Sequence, residues 1–175
     1  MEIERKFLVK ELPENIETYP KSHIAQAYIS TSPVIRVRKK DDAFILTVKG
    51  PGLMEREEVE FALGKESFFR LLTKSDGCII EKTRYKIPWL SYTIELDIFE
   101  GTFEGFIMAE IEFPDTESAT LSQLPSWFGP EVTMDSRFHN SSLSSLTKEQ
   151  APAFIQYQKA LLTREINNCQ IDTKS

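Results

Sequence analysis

Alternation of apolar and charged side chains with a period of two residues runs through most of positions 1–113 of this chain. At its start, Glu2, Glu4 and Lys6 are separated by Ile3 and Arg5. Side chains two positions apart share a face only in an extended strand, so the three charges lie on one surface. The same spacing of paired charges recurs repeatedly further along the chain. The pattern therefore predicts a protein built mainly from strands that each carry one charged face.

Eight segments show this strand pattern, and turn residues separate most of them. The predicted strands cover residues 1–9, 24–30, 34–39, 44–49, 56–61, 79–87, 92–99 and 107–113. Asp41 and Asp42 supply a tight hairpin, and Pro88 is expected to limit the sixth strand. Helical patterns occupy 65–75, 116–124 and 147–166. Thr147 and Gln150 have the spacing of a capping box at the start of the last helix.

The charges on the polar faces are ordered by sign, strand by strand, rather than mixed. The three predicted helices can cover the apolar faces from outside, so the charged faces are expected to line the interior of a barrel. The predicted fold is α+β and mainly β, an eight-stranded antiparallel β-barrel with outer helices. One domain spans residues 1–175, with strands in about 1–113 and a helical part in about 114–175.

A lining with clusters of both signs predicts a particular class of ligand. The basic positions are Lys6, Arg36, Arg38, Lys49, Lys82 and Arg84, and the acidic positions are Glu2, Glu4, Glu58, Glu60, Glu95, Asp97, Glu110 and Glu112. Such a set suits a polyanion that carries its own divalent cations, because Arg and Lys bind phosphate oxygens. Carboxylates without His or Cys favour Mg²⁺ or Mn²⁺ over zinc. The alternative is a solvated sheet face with salt-bridge ladders between strands.

Composition excludes several other classes of partner. The chain has 175 residues, 41% of them hydrophobic, and a net charge of -6, which favours neither nucleic acid nor an anionic membrane. The spacing of Cys78 and Cys169 fits no metal or redox motif, so both are expected to be reduced. The charged first strand leaves no room for a signal peptide, and no apolar run is long enough to span a bilayer. A cytoplasmic location is the expectation.

The ordered motifs resemble those of a known superfamily. They are Glu-Ile-Glu-Arg-Lys at 2–6, Arg-Val-Arg at 36–38, Thr-Val-Lys-Gly-Pro at 47–51, Glu-Val-Glu at 58–60, Glu-Lys-Thr-Arg-Tyr at 81–85, Glu-Leu-Asp at 95–97, Glu-Ile-Glu at 110–112 and the segment 132–143. This order resembles that of the CYTH, or triphosphate tunnel metalloenzyme, superfamily, with the short bacterial inorganic triphosphatases as the most similar members. The resemblance covers residues 1 to about 145.

The resemblance implies a metal-dependent enzyme that acts on triphosphates inside the barrel, and it implies a role for each matching residue. Phosphate-binding positions would be Lys6, Arg36, Arg38, Lys49, Lys82, Arg84 and Arg137, and metal ligands would be Glu2, Glu4, Glu60, Asp97, Glu110 and Glu112. A Lys–Tyr pair is associated with triphosphatase activity in the short bacterial members, and Tyr28 occupies the matching strand. Tyr28 can equally be a lining aromatic whose hydroxyl bonds a neighbour. The cofactor implied is Mg²⁺ or Mn²⁺.

The expected reaction is attack of water on a terminal phosphorus, most simply of inorganic tripolyphosphate, to give pyrophosphate and phosphate. Glu4 or a neighbouring carboxylate would accept the proton of the water. The alternatives are a class IV-type adenylyl cyclase, a thiamine or nucleoside triphosphatase, and a polyphosphate-binding module without turnover. Cyclases of this superfamily tend to carry a His-Phe element ahead of the first strand, where this chain has Met1 only. A small triphosphate is the expected partner, without nucleic acid or membrane, and a homodimer is possible.

Overall fold

A computed structural model describes residues 3–50 and 58–172, with side chains described up to residue 164. Its strands are β1 (Ile3–Val9), β2 (Lys21–Thr31), β3 (Val34–Lys40), β4 (Ala43–Lys49), β5 (Glu58–Ala62), β6 (Ile80–Trp89), β7 (Tyr92–Glu100), β8 (Ile107–Phe113) and β9 (Phe128–Glu131). Its α-helices are α1 (Lys65–Leu72), α2 (Thr116–Leu121), α3 (Asn140–Ser144) and α4 (Ala151–Asp172). Single 3₁₀ turns lie at Ile16–Thr18, Gly101–Phe103 and Ser136–Phe138.

All nine strands belong to one antiparallel sheet in the order β5-β4-β3-β2-β6-β7-β8-β1-β9. The predicted eight strands are confirmed, and the Asp41–Asp42 connection joins β3 to β4 as expected, with Asp41 at a φ of 50°. The sheet order begins at β5 and ends at β9, and the ladders of the described residues do not join these two strands. Closure of the sheet into a barrel therefore stays a prediction.

Two strand boundaries differ from the sequence prediction. β9 lies outside the predicted set because Gly129 and Pro130 are typical of a loop, but it pairs with the outer edge of β1. β6 continues through Pro88 to Trp89, and Pro88 lies opposite Thr93 of β7. On its other side, β6 pairs with β2 only as far as Tyr85, so Pro88 lies where β6 is locally an edge and its missing N–H breaks no ladder.

Two helices cover the outer apolar face of the sheet, as predicted. Phe68 of α1 packs with Ala27 and Val37, and its ring centroid lies 4.9 Å from that of Phe44. α2 contributes Ala119 to a second and larger cluster formed by β1 and the β6–β8 strands. Burial of these two clusters supplies most of the hydrophobic stabilisation of the outer face.

The third predicted helix has a different position from the one expected. α4 packs against one end of the sheet surface that carries the charges, because this end is apolar and needs cover. Leu8 lies directly opposite Met108 there, two positions beyond Lys6 and Glu110 on the same face. The cluster that fills this end contains Leu8, Cys78, Ile80, Phe99, Phe103, Phe106, Met108, Val132, Phe138, Leu143, Ala151 and Phe154.

The start of α4 shows the predicted capping box. The Thr147 N–H donates to Gln150 Oε1 at 2.9 Å, and the Gln150 N–H donates to Thr147 Oγ1 at 3.3 Å. These reciprocal bonds satisfy two backbone donors that a helix N-terminus leaves unpaired. Among the described helices, none combines the length and the apolar character needed to cross a membrane.

Candidate active site on the charged face

Strand register brings the predicted charges onto one surface, which we call the charged face. Directly opposite pairs on it are Glu4 with Glu112, Lys6 with Glu110, Glu95 with Glu110, Arg84 with Asp97, Tyr28 with Arg36, Gln26 with Arg38, Thr47 with Glu60 and Lys49 with Glu58. Opposite residues of antiparallel strands lie on the same side of the sheet, so these side chains line one continuous surface.

The innermost charges form a fully buried pair. Lys82 and Asp97 make an ion pair with both side chains 0% exposed. Arg84 donates to Asp97 through Nε and Nη2, each at 2.6 Å, so both carboxylate oxygens of Asp97 are used. Burial lowers the pKa of Lys82, although attraction to Asp97 opposes this shift. Asn140 at the start of α3 accepts from Lys82 Nζ at 3.4 Å.

Lys6 lies between two carboxylates nearer the open end of the charged face. Its Nζ donates to Glu4 Oε1 at 2.5 Å and to Glu110 Oε1 at 2.7 Å. Arg84 Nη2 donates to the other oxygen of Glu110 at 2.9 Å, and Arg84 also pairs with Glu95. Glu110 is buried and Glu4 is 42% exposed. This acid-rich part is therefore neutralised by the protein's own cations.

The pKa values of this group follow from its contacts. Burial tends to raise the pKa of Glu110, but the charges of Lys6, Lys82 and Arg84 outweigh it and hold the pKa well below its usual value. Burial tends to lower the pKa of Lys6, but Glu110 and Glu4 raise it overall. For Glu4, burial and the neighbouring Glu110 charge raise the pKa in spite of Lys6. Glu4 is thus a stronger base than an ordinary glutamate.

Two arginines of β3, Arg36 and Arg38, have neutral groups as their closest hydrogen-bond partners. Arg36 Nη2 donates to Thr47 Oγ1 at 3.0 Å, and its nearest carboxylate oxygen, on Glu60, is 3.7 Å away. Arg38 Nε donates to Gln26 Oε1 at 3.0 Å. Burial, together with the charges of Arg36 and Arg84, lowers the pKa of Arg38 to about 10. Positive charge is therefore in excess here.

The charges in the two parts of the charged face affect each other's pKa values. The charge of Glu110 on β8 raises the pKa of Tyr28 on β2, where burial is the largest cause. These strands are three places apart in the sheet, about 14 Å in a flat arrangement. The charge of Arg84 on β6 likewise lowers the pKa of Arg38 on β3. The Arg38 guanidinium of β3 and the Tyr28 hydroxyl of β2 are therefore electrostatically coupled to charges on β6 and β8.

The cation-rich part fits an anion. Nε of Arg36 is a buried donor that has no hydrogen-bond partner within the described part of the chain. A buried unpaired donor on a charged group is costly, and an anionic oxygen would satisfy it. Phosphate oxygens suit such a site because guanidinium groups bind them in a forked geometry.

The acid-rich part fits a hard divalent cation in its chemistry. Glu4, Glu110 and Glu112 offer only oxygen donors, and Glu4 lies directly across from Glu112. In the described ranges, no three acidic or metal-binding side chains are grouped closely enough to hold an ion, and Glu4 and Glu110 are both bonded to Lys6. These carboxylates could therefore bind a cation only if Lys6 gives up part of its contact with them.

The remaining predicted site residues lie in three kinds of place. Lys49 pairs with Glu58 at 2.8 Å, and Glu60 accepts from Thr47 at 3.0 Å, so these residues belong to the charged face. Arg137 is 60% exposed and lies apart from them, paired with Asp135 and stacked on Tyr157. Glu2 lies outside the described residues. Its predicted role and that of Arg137 stay predictions.

Two polar residues of the site carry no charge and were not predicted. Gln26 is fully buried between Arg38 and Tyr28, and Asn140 contacts Lys82. The alternation of β2 indicates that Gln26 lies on the polar face. Because its side chain is neutral, the sequence does not indicate which charged residue it contacts. Asn140 is in a serine-rich segment whose short helix has no clear periodicity.

The arrangement matches a known domain. The pattern of the CYTH domain matches residues 1–147. The chain belongs to the CYTH family. An inorganic triphosphatase of Nitrosomonas europaea is 35% identical over 149 residues, which cover 82% of this chain and 96% of the relative. An inorganic triphosphatase of Acetivibrio thermocellus is 37% identical over 149 residues, which cover 81% of this chain and 92% of the relative.

A solved structure extends the similarity to the fold. A crystal structure of an inorganic triphosphatase has a TM-score of 0.68 and 31% identity, and the match covers 83% of this chain and 95% of that chain. The CYTH fold is therefore confirmed for this chain. Dependence on metal ions is general in the family.

Proposed function

We propose that this chain hydrolyses inorganic tripolyphosphate to pyrophosphate and phosphate with Mg²⁺ or Mn²⁺ as cofactor. The observation that carries the proposal is the buried Arg36, whose Nε has no partner among the described residues and whose ion pair with Glu60 is long at 3.7 Å, beside the half-buried Arg38, which bonds to an amide. A substrate with many negative charges and bound cations satisfies both parts at once. Inorganic tripolyphosphate is the simplest such molecule, and the curated relatives are inorganic triphosphatases.

Each part of the charged face has a distinct task in this reaction. Arg36, Arg38 and Arg84 hold and orient the phosphate chain, and Lys82, buried against Asp97, adds positive charge behind its inner end. Glu4, Glu110 and Glu112 would hold a divalent cation, which when bound supplies further positive charge to the phosphoryl oxygens. Phosphoryl transfer depends mainly on such positioning and charge stabilisation.

The bond changes are those of a simple hydrolysis. The oxygen of a water molecule forms a bond to the terminal phosphorus while the bridging P–O bond breaks, and the bridging oxygen leaves with pyrophosphate. One proton of the water passes to Glu4 or to a neighbouring carboxylate. Lys6, which contacts both Glu4 and Glu110, is placed to neutralise oxygens of the reacting phosphate.

The test is phosphate release by the purified protein from tripolyphosphate, thiamine triphosphate and ATP, each with Mg²⁺, Mn²⁺ or a chelator. We expect metal-dependent release from tripolyphosphate to be much faster than from the other two substrates. Faster release from thiamine triphosphate or ATP would assign an organic triphosphatase, and formation of cyclic AMP from ATP would assign a cyclase. Tight binding of tripolyphosphate without turnover would leave a polyphosphate-binding module.

A further inference from the structure

Gln26 is a buried polar residue for which neither the sequence motifs nor the proposed reaction has a role. It lies on the charged face of β2, 0% exposed, between Arg38 on β3 and Tyr28 two positions along its own strand. Arg38 Nε donates to Gln26 Oε1 at 3.0 Å, and Gln26 Nε2 donates to the Tyr28 hydroxyl at 3.3 Å. One amide thus joins a phosphate-binding candidate to a catalytic candidate.

The direction of these hydrogen bonds is fixed by chemistry. A guanidinium group can only donate, so the amide atom that faces Arg38 must be the oxygen. The NH₂ group of Gln26 then faces Tyr28 and donates to its hydroxyl oxygen. The charge of the Arg36 guanidinium also favours negative character on this hydroxyl. Because the Gln26 amide donates, the tyrosine oxygen accepts this bond and its single proton must point elsewhere.

We propose that Gln26 is a positioning residue that turns the hydroxyl proton of Tyr28 toward the bound phosphate chain and holds the Arg38 guanidinium beside it. The inference rests on the proposed function and adds a residue to it. Tyr28 then donates a hydrogen bond to a phosphate oxygen on which negative charge develops as the P–O bond breaks. Burial raises the pKa of Tyr28, which keeps the hydroxyl protonated and able to donate.

Glutamate would have nearly the same shape but the opposite effect at this position. A carboxylate at residue 26 still accepts from Arg38, but it also accepts the Tyr28 proton and takes that donor away from the substrate. Gln26→Glu therefore keeps the Arg38 contact and reverses only the bond to Tyr28. A purely structural role for Gln26 would not depend on the presence of the tyrosine hydroxyl.

The experiment is a double-mutant cycle of Gln26→Glu and Tyr28→Phe, measured by kcat and KM for tripolyphosphate with Mg²⁺ and by calorimetric binding of tripolyphosphate in the presence of chelator. In the otherwise unchanged protein we expect Gln26→Glu to lower kcat about ten- to hundredfold, the effect of losing one well-placed donor. In the Tyr28→Phe background the same change should alter kcat less than about twofold, because the donor is already absent.

The matched control is Gln158→Glu on α4, a buried glutamine whose amide donates to the Gly105 carbonyl at 3.3 Å. Gln158→Glu should lower thermal stability, and its effect on kcat should be the same in the parent protein and in the Tyr28→Phe variant. If Gln26→Glu does not fold, Gln26→Met removes both bonds at similar volume; the part of its loss that comes from Arg38 should persist in the Tyr28→Phe background, and the part that comes from the Tyr28 bond should disappear. Equal losses from the residue 26 change in both backgrounds would overturn the proposal.

Failure of the proposed function gives a different result. If the protein binds tripolyphosphate without hydrolysing it, the same double-mutant cycle is measured with the dissociation constant for tripolyphosphate. Coupling between the changes at residues 26 and 28 would then support the positioning role, and additive effects would contradict it. No binding of tripolyphosphate at all would overturn both the function and the role of Gln26.

Discussion

The two parts of the charged face balance their charge in different ways. Across β1, β6, β7 and β8 each cation contacts at least one carboxylate, and the Lys82–Asp97 pair is closed to solvent. Across β2, β3 and β4, Arg36 and Arg38 bond to a hydroxyl and an amide, and one guanidinium donor is unpaired. The first part is neutralised by its own ion pairs. The second keeps a buried donor without a partner among the described residues, which an anion bound as proposed would satisfy.

The largest effect is expected from the carboxylate that joins the two parts. Glu110→Gln removes a charge that faces Lys6 and Arg84 and belongs to the proposed cation site, so kcat/KM for tripolyphosphate should fall about a thousandfold. Phosphate release with Mg²⁺ and with Mn²⁺ measures this loss. Glu66→Gln, on an exposed residue of α1, is the control and should keep full activity. Full activity of Glu110→Gln would rule out the carboxylate cluster as the metal site.

The second change tests whether the acid-rich part is needed for folding. Lys82→Met leaves Asp97 buried with one cation fewer, so the free energy of unfolding should fall by about 3–5 kcal/mol. Urea unfolding followed by circular dichroism measures it. The exposed Lys159 on α4 gives the matched control Lys159→Met, which should stay within about 0.5 kcal/mol of the parent protein.

The third change makes the opposite prediction for the cation-rich part. Arg36→Met should raise the KM for tripolyphosphate roughly ten- to hundredfold, the value of one charge-assisted hydrogen bond of about 1.5–3 kcal/mol. The free protein should be as stable as before or more stable, because the change removes a buried charge whose Nε is unpaired among the described residues and whose ion pair with Glu60 is long. Arg70→Met on α1 is the control. A large loss of stability in Arg36→Met would show that both parts are balanced in the same way.

Lowering the pH should reduce the free energy of unfolding mainly through the ion pairs of β1, β6, β7 and β8. The cations around Glu110 hold its folded pKa below its usual value, so it stabilises the fold above the unfolded pKa near ~4.3 and loses this contribution as the pH falls toward the folded pKa. Between pH 5 and 3 the parent protein should lose about 1–2 kcal/mol more stability than Glu110→Gln does. Arg36→Met should keep the parent slope. Parallel curves for all three proteins would contradict this difference.

The smallest effect lies outside both parts. Thr147→Ala removes one side of the capping box of α4 and should cost about 1 kcal/mol of stability. The KM for tripolyphosphate should not change, since Thr147 makes no contact with the charged face among the residues described. Thermal unfolding and a single KM measurement check both expectations. A raised KM in this variant would link the position of α4 to substrate binding.

Periodicity predicts more of the sheet than of the helical part. Each of the eight predicted strands forms, because only an extended strand places alternating apolar side chains on one face that the protein can bury. β9 and α3 are not predictable in this way, since Gly129 and Pro130 indicate a loop and the serines of 140–144 carry no apolar stripe. Both elements form because tertiary contacts with β1 and with the apolar end of the sheet cover them.

Charge patterning predicts which side chains meet on one face but not which of them bond. The spacing of Lys82, Arg84 and Asp97 indicates a shared surface, whereas their mutual bonds depend on strand register and tilt. The sequence treats Asp97 and Glu110 as equivalent carboxylates. In the structure Asp97 is saturated by cations, and Glu110 is shared between Lys6 and Arg84 at a more open level.

The apolar cluster at the end of the charged face sets a limit on the proposed binding of a phosphate chain. Lys82 Nζ lies 5.2 Å from the centre of the Phe99 ring, so the last cation of the face stands directly against hydrocarbon. A phosphate that passed this level would leave water and cations for an apolar interior, which is costly. A chain bound as proposed would therefore end before the buried Lys82–Asp97 pair, and any additional length would extend toward solvent.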